Sequence, residues 1–206
     1  MRWPATVAIL VALGLHVGLP ADLILGPRWI LPVLEAALVV PLSVTNPDRR
    51  QRETTFVRAW SVLLIALVSA ANLASLALLV HHLITGGQVI GSRLVYSAFV
   101  VWSTNVIVFS LWFWELDGGG PAARHEDPTV SRDFLFPQDA SPDVFPANWL
   151  PTYVDYLYVS FTNSTAFSPT DTMPVTTWSK LLMMVESGAA FITIALVAAR
   201  AVNILS

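Results

Sequence analysis

Polar and apolar positions along this chain alternate on the scale of whole segments rather than single residues. Near-continuous apolar runs cover about Ala5–Leu25, Pro27–Val44, Ala59–Leu83, Ser92–Leu116 and Trp178–Ile204, separated by polar connections. Runs near 20 residues predict helices that cross a bilayer, because ~20 helical residues span a hydrocarbon core of about 30 Å. One further segment breaks the pattern. Pro151–Asn163 is aromatic-rich but short, reaching only about 21 Å as a helix. The polar run Asn163–Asp171 follows it directly. A short helix, a polar turn and a full-length helix together predict a re-entrant segment, whose turn must line water or be buried in protein. The expected fold is therefore all-α: an integral membrane helical bundle of five transmembrane helices plus one re-entrant, pore-type helix. Residues 1–90 form an N-terminal three-helix region, and residues 91–206 carry the remaining helices.

Composition agrees with this reading. Of 206 residues, 55% are hydrophobic and 12% charged, with mean hydropathy +0.64, against about 25% charged in a soluble domain. The first apolar run is read as a retained helix, since Arg2 alone is a thin basic flank and apolar sequence continues past Pro20-Ala21. No soluble sensor domain is expected beside the helices. The net charge of −3 gives no reason to expect nucleic-acid binding, and the absence of cysteine excludes disulfides, thiolate chemistry and Cys-based metal sites.

Polar residues inside the apolar runs are the next candidates. Glu35 lies mid-run, where an ionisable group is costly and is either functional or a hydrogen-bonded part of the bundle. Asn72, among small residues, and Asn105 are expected to bond between helices. Asp22 is expected at an interface, and His81-His82 point apart on a helix, so no metal site is read there. Trp112 and Trp114 read as members of an aromatic belt. Arg49, Arg50, Arg52 and Arg58 form a basic connection that suits anionic headgroups on the cytoplasmic side. Residues 117–148 read as a long loop, in which Phe134-Leu135-Phe136 is expected to dock on the membrane or the protein.

The segment after Tyr153 resembles the pore module of the potassium-channel superfamily. Thr165-Ala166-Phe167-Ser168-Pro169-Thr170-Asp171 stands where that family has T-T-V-G-Y-G-D, and Asp171-Thr172-Met173-Pro174-Val175-Thr176 resembles the D-x-x-P-x-T that follows. Trp178, Lys180, Glu186 and Gly188 resemble the start of the family's inner helix, with Gly188 at a hinge-like place. The resemblance implies that 91–206 is a channel-like pore module assembled as a homotetramer. Thr165, Ser168, Thr170 and Asp171 would then line or support a path for monovalent cations. Glu186 would face inward or bond to the pore helix. Ser168 and Thr170 replace the filter glycines and Pro169 the tyrosine. Threonine resists the conformations glycine reaches freely, and proline fixes φ and removes an amide. A potassium filter of the usual geometry is therefore not expected.

Orientation is read two ways. The resemblance implies loop 117–148 outside and Ser206 in the cytoplasm, leaving Arg28, Arg93 and Arg200 inside against the other eight Lys and Arg residues outside. The positive-inside rule implies the reverse, an arrangement similar to ionotropic glutamate receptors, and the short basic connection weighs toward it.

The expected function is an ion-channel-like protein of the plasma membrane, multi-pass in the bilayer, with weak cation selectivity and no cofactor or metal. The alternative is a non-conducting structural or accessory membrane protein that keeps the pore-module shape. A transporter or enzyme using His16, Asp22 and Glu35 is a third reading. No catalytic motif accompanies those residues, so no catalytic residues are assigned.

Overall fold

The computed structural model describes residues 3–24, 55–85, 91–127, 129–141, 143–146, 149–165 and 171–205. The expected helix at 27–44 with Glu35, the arginines 49, 50 and 52, and turn residues Ala166, Phe167, Ser168, Pro169 and Thr170 lie outside them. The described chain is mostly helical. Its helices are α1 (Trp3–Val17), α2 (Thr55–Ile84), α3 (Gly91–Leu116), α4 (Pro121–Glu126), α5 (Pro137–Ala140), α6 (Tyr153–Thr165) and α7 (Thr177–Leu205). Two short strands, β1 (Phe134–Leu135) and β2 (Met173–Pro174), pair antiparallel.

Among the described residues three helices, within α2, α3 and α7, are long and apolar enough to cross a membrane. The first apolar run is not one continuous helix to Leu25. Helix α1 stops at Val17, and a 3-10 turn at Ala21–Leu23 follows Pro20. At 15 residues, α1 reaches only about 22 Å. Proline removes an amide hydrogen and biases its predecessor away from helix, which accounts for the stop.

Helix α3 is the hub. It is the most buried of the three long helices and packs against α1, α2, α6 and α7. Val100, Val101, Val108, Phe109, Leu111 and Phe113 are buried within it. Trp112 is no belt residue: its indole N–H donates to Ser69 Oγ (2.8 Å), tying α3 to α2. Trp114 is also buried, edge-on to Tyr153 of α6 at 6.1 Å between ring centroids. The Trp112 indole N–H is thus taken up by protein.

The described residues of 117–148 do not form a structureless loop. Gly118, Gly119 and Gly120 take φ of 54°, 81° and 101°, values that side chains resist. A Cβ at Gly120 would come within 3.0 Å of the Glu115 carbonyl. This turn swings the chain directly into α4, with Pro121 at its first turn. At the far end of α4, the Thr129 hydroxyl and N–H both donate to Asp127 and hold its carboxyl below the usual range. Phe134 and Phe136 then turn inward, each nearly edge-on to Tyr156 at 6.2 and 5.3 Å. The segment is a folded cap on α3 and α6, and the Phe-Leu-Phe motif docks on the protein.

Candidate functional site

The site is assembled where α6, α3 and α7 meet. Helix α6 has 13 residues, about 20 Å. Pro151 precedes its first turn rather than occupying it, and the start is fixed by Asp155. That carboxylate accepts from the Thr152 N–H and hydroxyl, both at 2.7 Å, and an acid in the first turn also suits the helix dipole. Tyr153, Tyr156 and Val159 of α6 are buried, and so are Ser160, Thr162 and Ser164 of its second half, while Val154, Tyr158 and Phe161 are exposed.

The Ser160 and Ser164 hydroxyls converge on Glu186 of α7, which is 0% exposed, while Thr162 bonds back to carbonyls of its own helix. Ser160 Oγ and Ser164 Oγ (3.1 Å) meet Oε1, and Asn163 Nδ2 donates to Oε2 (2.6 Å). Asn163 also donates to the Met183 carbonyl (3.0 Å), and Ser187 Oγ donates to Asn163 Oδ1 (2.9 Å). From α3, Asn105 Nδ2 donates to the Glu186 backbone carbonyl (3.2 Å), and the Val106 carbonyl lies 2.7 Å from Ser160 Oγ. Among the described residues no cation pairs with Glu186; its three side-chain partners are hydroxyls and an amide.

A second cluster holds the opposite end of α6. Asp117 is 0% exposed, and its Oδ1 accepts from the Asp133 (2.6 Å) and Phe134 (3.2 Å) amides while Oδ2 accepts from the Tyr156 hydroxyl. Arg124 donates to the Asp117 and Trp114 carbonyls and lies 3.9 Å from Asp117 Oδ2. Its guanidinium also covers the Tyr156 ring at 5.2 Å. Arg124 thus supplies the last carbonyls of α3 with donors that a helix end lacks.

Asp133 carries the connection across to α7. Its Oδ2 accepts from the Gly118 N–H (3.2 Å), its Oδ1 from Thr176 Oγ1 (2.7 Å), and its backbone carbonyl from the Val175 N–H (2.9 Å). With the β1–β2 pair, these bonds fix the chain leaving the turn, as α6 fixes the chain entering it. Thr165 and Asp171 are the described residues on either side of 166–170.

The sequence-selected residues distribute unevenly over this arrangement. Thr165 ends α6, its hydroxyl donating to the Thr162 carbonyl (3.1 Å), and Asp171 is exposed. Glu186 is brought against α6. Gly188 lies in an unbroken α7, exposed, and a Cβ there would meet nothing within 4 Å. Asn105 bonds between α3 and α7, whereas Asn72 is buried on α2 and joins neither cluster. His16 of α1 is also buried apart from them. Asp117, Arg124 and Asp133 give no local sign of burial because they lie in a segment that reads as loop, whereas Tyr156 lies in the expected short helix. Asn163 and Ser164 read as the start of the polar turn and instead lie within α6, and Ser160 carries no signal of its own in the sequence. Charged residues flanking a Gly-Gly-Gly-Pro turn were the available signal. Among the described residues no three His, Asp or Glu side chains group as metal ligands. Comparison with protein-family models, with curated proteins and with solved structures gives no match for this chain.

Proposed function

We propose that this chain is an ion-channel-like integral membrane protein of the plasma membrane. In this reading it has five spanning helices, α6 is the re-entrant pore helix, and α6, the following turn and α7 form a weakly selective cation path when copies assemble as a homotetramer. The observation that carries the reading is the second half of α6: a helix too short to span, with Ser160, Thr162 and Ser164 buried and Tyr158 and Phe161 exposed, followed in the sequence by the expected polar turn. Such a turn cannot face lipid, and one copy cannot encircle an ion, so further copies or water must cover it. The outward apolar row of Val154, Tyr158 and Phe161 and the exposed Leu181, Met184, Val185 and Phe191 of α7 offer surface for lipid and for neighbouring copies. Carbonyls at the end of α6, Thr165 and Asp171 would favour monovalent cations.

The second reading, a non-conducting accessory protein with the same frame, is favoured by Ser168-Pro169-Thr170 in the place of filter glycines. Purified protein in liposomes separates the two. Monovalent-cation flux, with a multimeric mass in detergent, is the expected result. A monomeric mass without flux overturns the channel reading, and a multimer without flux selects the accessory one.

A further inference from the structure

Trp112 and Trp114 bond and pack within the protein, so an aromatic belt must be built from other residues. Among the described side chains Trp178 is the one exposed tryptophan, at 74%, in the first turn of α7. Near the start of α3, Tyr96 is 49% exposed. An exposed cation lies close to each in the chain, Lys180 after Trp178 and Arg93 before Tyr96. Both cations stand near helix starts, the end that the macrodipole makes unfavourable for positive charge. Among the described residues no carboxylate pairs with either. We infer that these two pairs are the protein's contacts with phospholipid headgroups, Trp178 and Lys180 in one leaflet, Tyr96 and Arg93 in the other.

The spacing of the pairs fits a bilayer. Asp133 bonds both Gly118 and Thr176, so the end of α3 and the start of α7 lie together and the two helices run antiparallel. The Asn105–Glu186 bond gives them a common level. At about 1.5 Å per residue, Trp178 stands about 12 Å from that level toward the cap, and Tyr96 about 13 Å from it on the other side. Their backbones are thus about 25 Å apart along the bundle. Helical side chains lean toward their own N-terminus, which for both residues is outward, so the rings approach the ~30 Å of a hydrocarbon core. Indole and phenol rings collect at that boundary, and lysine and arginine reach from it to phosphate. Between the pairs, α3 and α7 expose Phe99, Met184, Phe191 and Ile192 and no charge, and the exposed phenol at that depth, Tyr158, belongs to α6.

The same boundaries set the depth of α6. Ser160 meets Val106, next to the Asn105 level, and the helix runs on only to Thr165. Its end therefore lies near the middle of the hydrocarbon, while Asp117, Arg124 and Asp133 stand at or beyond the headgroups. Trp178 and Tyr96 can mark these boundaries only if the bilayer part of the proposed function holds; conduction and copy number do not enter.

Because the chain lacks cysteine, single nitroxide labels report depth in the full-length protein in phosphatidylcholine vesicles, through collisions with oxygen and with a water-soluble nickel chelate. W178C and Y96C carry the test labels. L73C is the deep reference, exposed on α2 below the Ser69–Trp112 bond, and H125C the aqueous one, exposed on the cap. The oxygen-to-nickel ratio is expected to be several-fold higher at 73 than at 178 and 96, and lowest at 125. A label at 178 or 96 that matches either reference, or that protein shields from both reagents, overturns the inference. T177C and V95C, on neighbouring exposed positions, replace a variant that does not accumulate. Release of the protein from vesicles by alkaline carbonate refutes the spanning reading itself, whereas retained protein with the wrong depths refutes the boundaries alone.

Discussion

Changing Tyr156 to Phe isolates one hydrogen bond in the buried cluster that seats α6. The ring keeps its contacts with Phe134, Phe136 and the Arg124 guanidinium. Only the hydroxyl donated to Asp117 Oδ2 disappears. A hydrogen bond to a charged group contributes about 1.5–3 kcal/mol. Asp117 retains two backbone amides on Oδ1, so the loss is about 2 kcal/mol, or ~4–8 °C in melting temperature for a chain of this size. Asp117→Asn removes the countercharge of Arg124, whose guanidinium is 2% exposed. Breaking a buried pair costs about 3–5 kcal/mol, and the two carbonyls still held by Arg124 place this case near the lower end. Because both changes remove the same charged hydrogen bond, the double variant falls short of the sum by about 1–2 kcal/mol. Tryptophan-fluorescence melts or denaturant titrations in detergent measure all three variants. Strict additivity, or a Tyr156→Phe variant as stable as wild type, refutes the assignment of this bond as a seat for α6.

Two further outcomes follow from the cap. Since the chain has no cysteine and Leu135 faces Met173 across the strand pair, L135C/M173C forms an intramolecular disulfide on mild oxidation. Cross-strand Cβ separations overlap the range such bonds accept. Mobility on a non-reducing gel reads it, and two freely alkylated thiols after oxidation would count against the pairing. Gly120→Ala costs about 1–3 kcal/mol, because φ of 101° and the Glu115 carbonyl at 3.0 Å both oppose a Cβ. A melting temperature equal to wild type would contradict that backbone geometry.

The long helices were legible because apolar length is a signal that survives without tertiary information: expected runs at 59–83, 92–116 and 178–204 correspond to Thr55–Ile84, Gly91–Leu116 and Thr177–Leu205. The short helix was legible for the same reason, bounded by Pro151 before it and hydroxyl residues after it. The cap was not. Its order depends on Arg124 and Asp133 meeting Asp117 across 7 and 16 residues of chain, and nothing local distinguishes such residues from solvated loop charges. The helix faces also deceived in one respect: Trp112 near a helix end has the composition of an interface belt, and only the position of Ser69 on the neighbouring helix gives its indole a partner. Glu186 was visible as an ionisable residue in an apolar helix, but its partners lie more than 20 residues away.

The β1–β2 ladder has a consequence for how this region can vary. Pairing Phe134 with Pro174 closes the intervening ~40 residues into a ring, at an entropic cost of about 3 kcal/mol that grows only logarithmically with length. Insertions inside the ring therefore change the entropy of closing it only slightly. Helix α6 and its turn behave as a cassette, exchangeable as a unit provided the Asp117, Asp133 and Glu186 sockets remain. New turn sequences can be grafted into this frame without redesigning the helices that carry it.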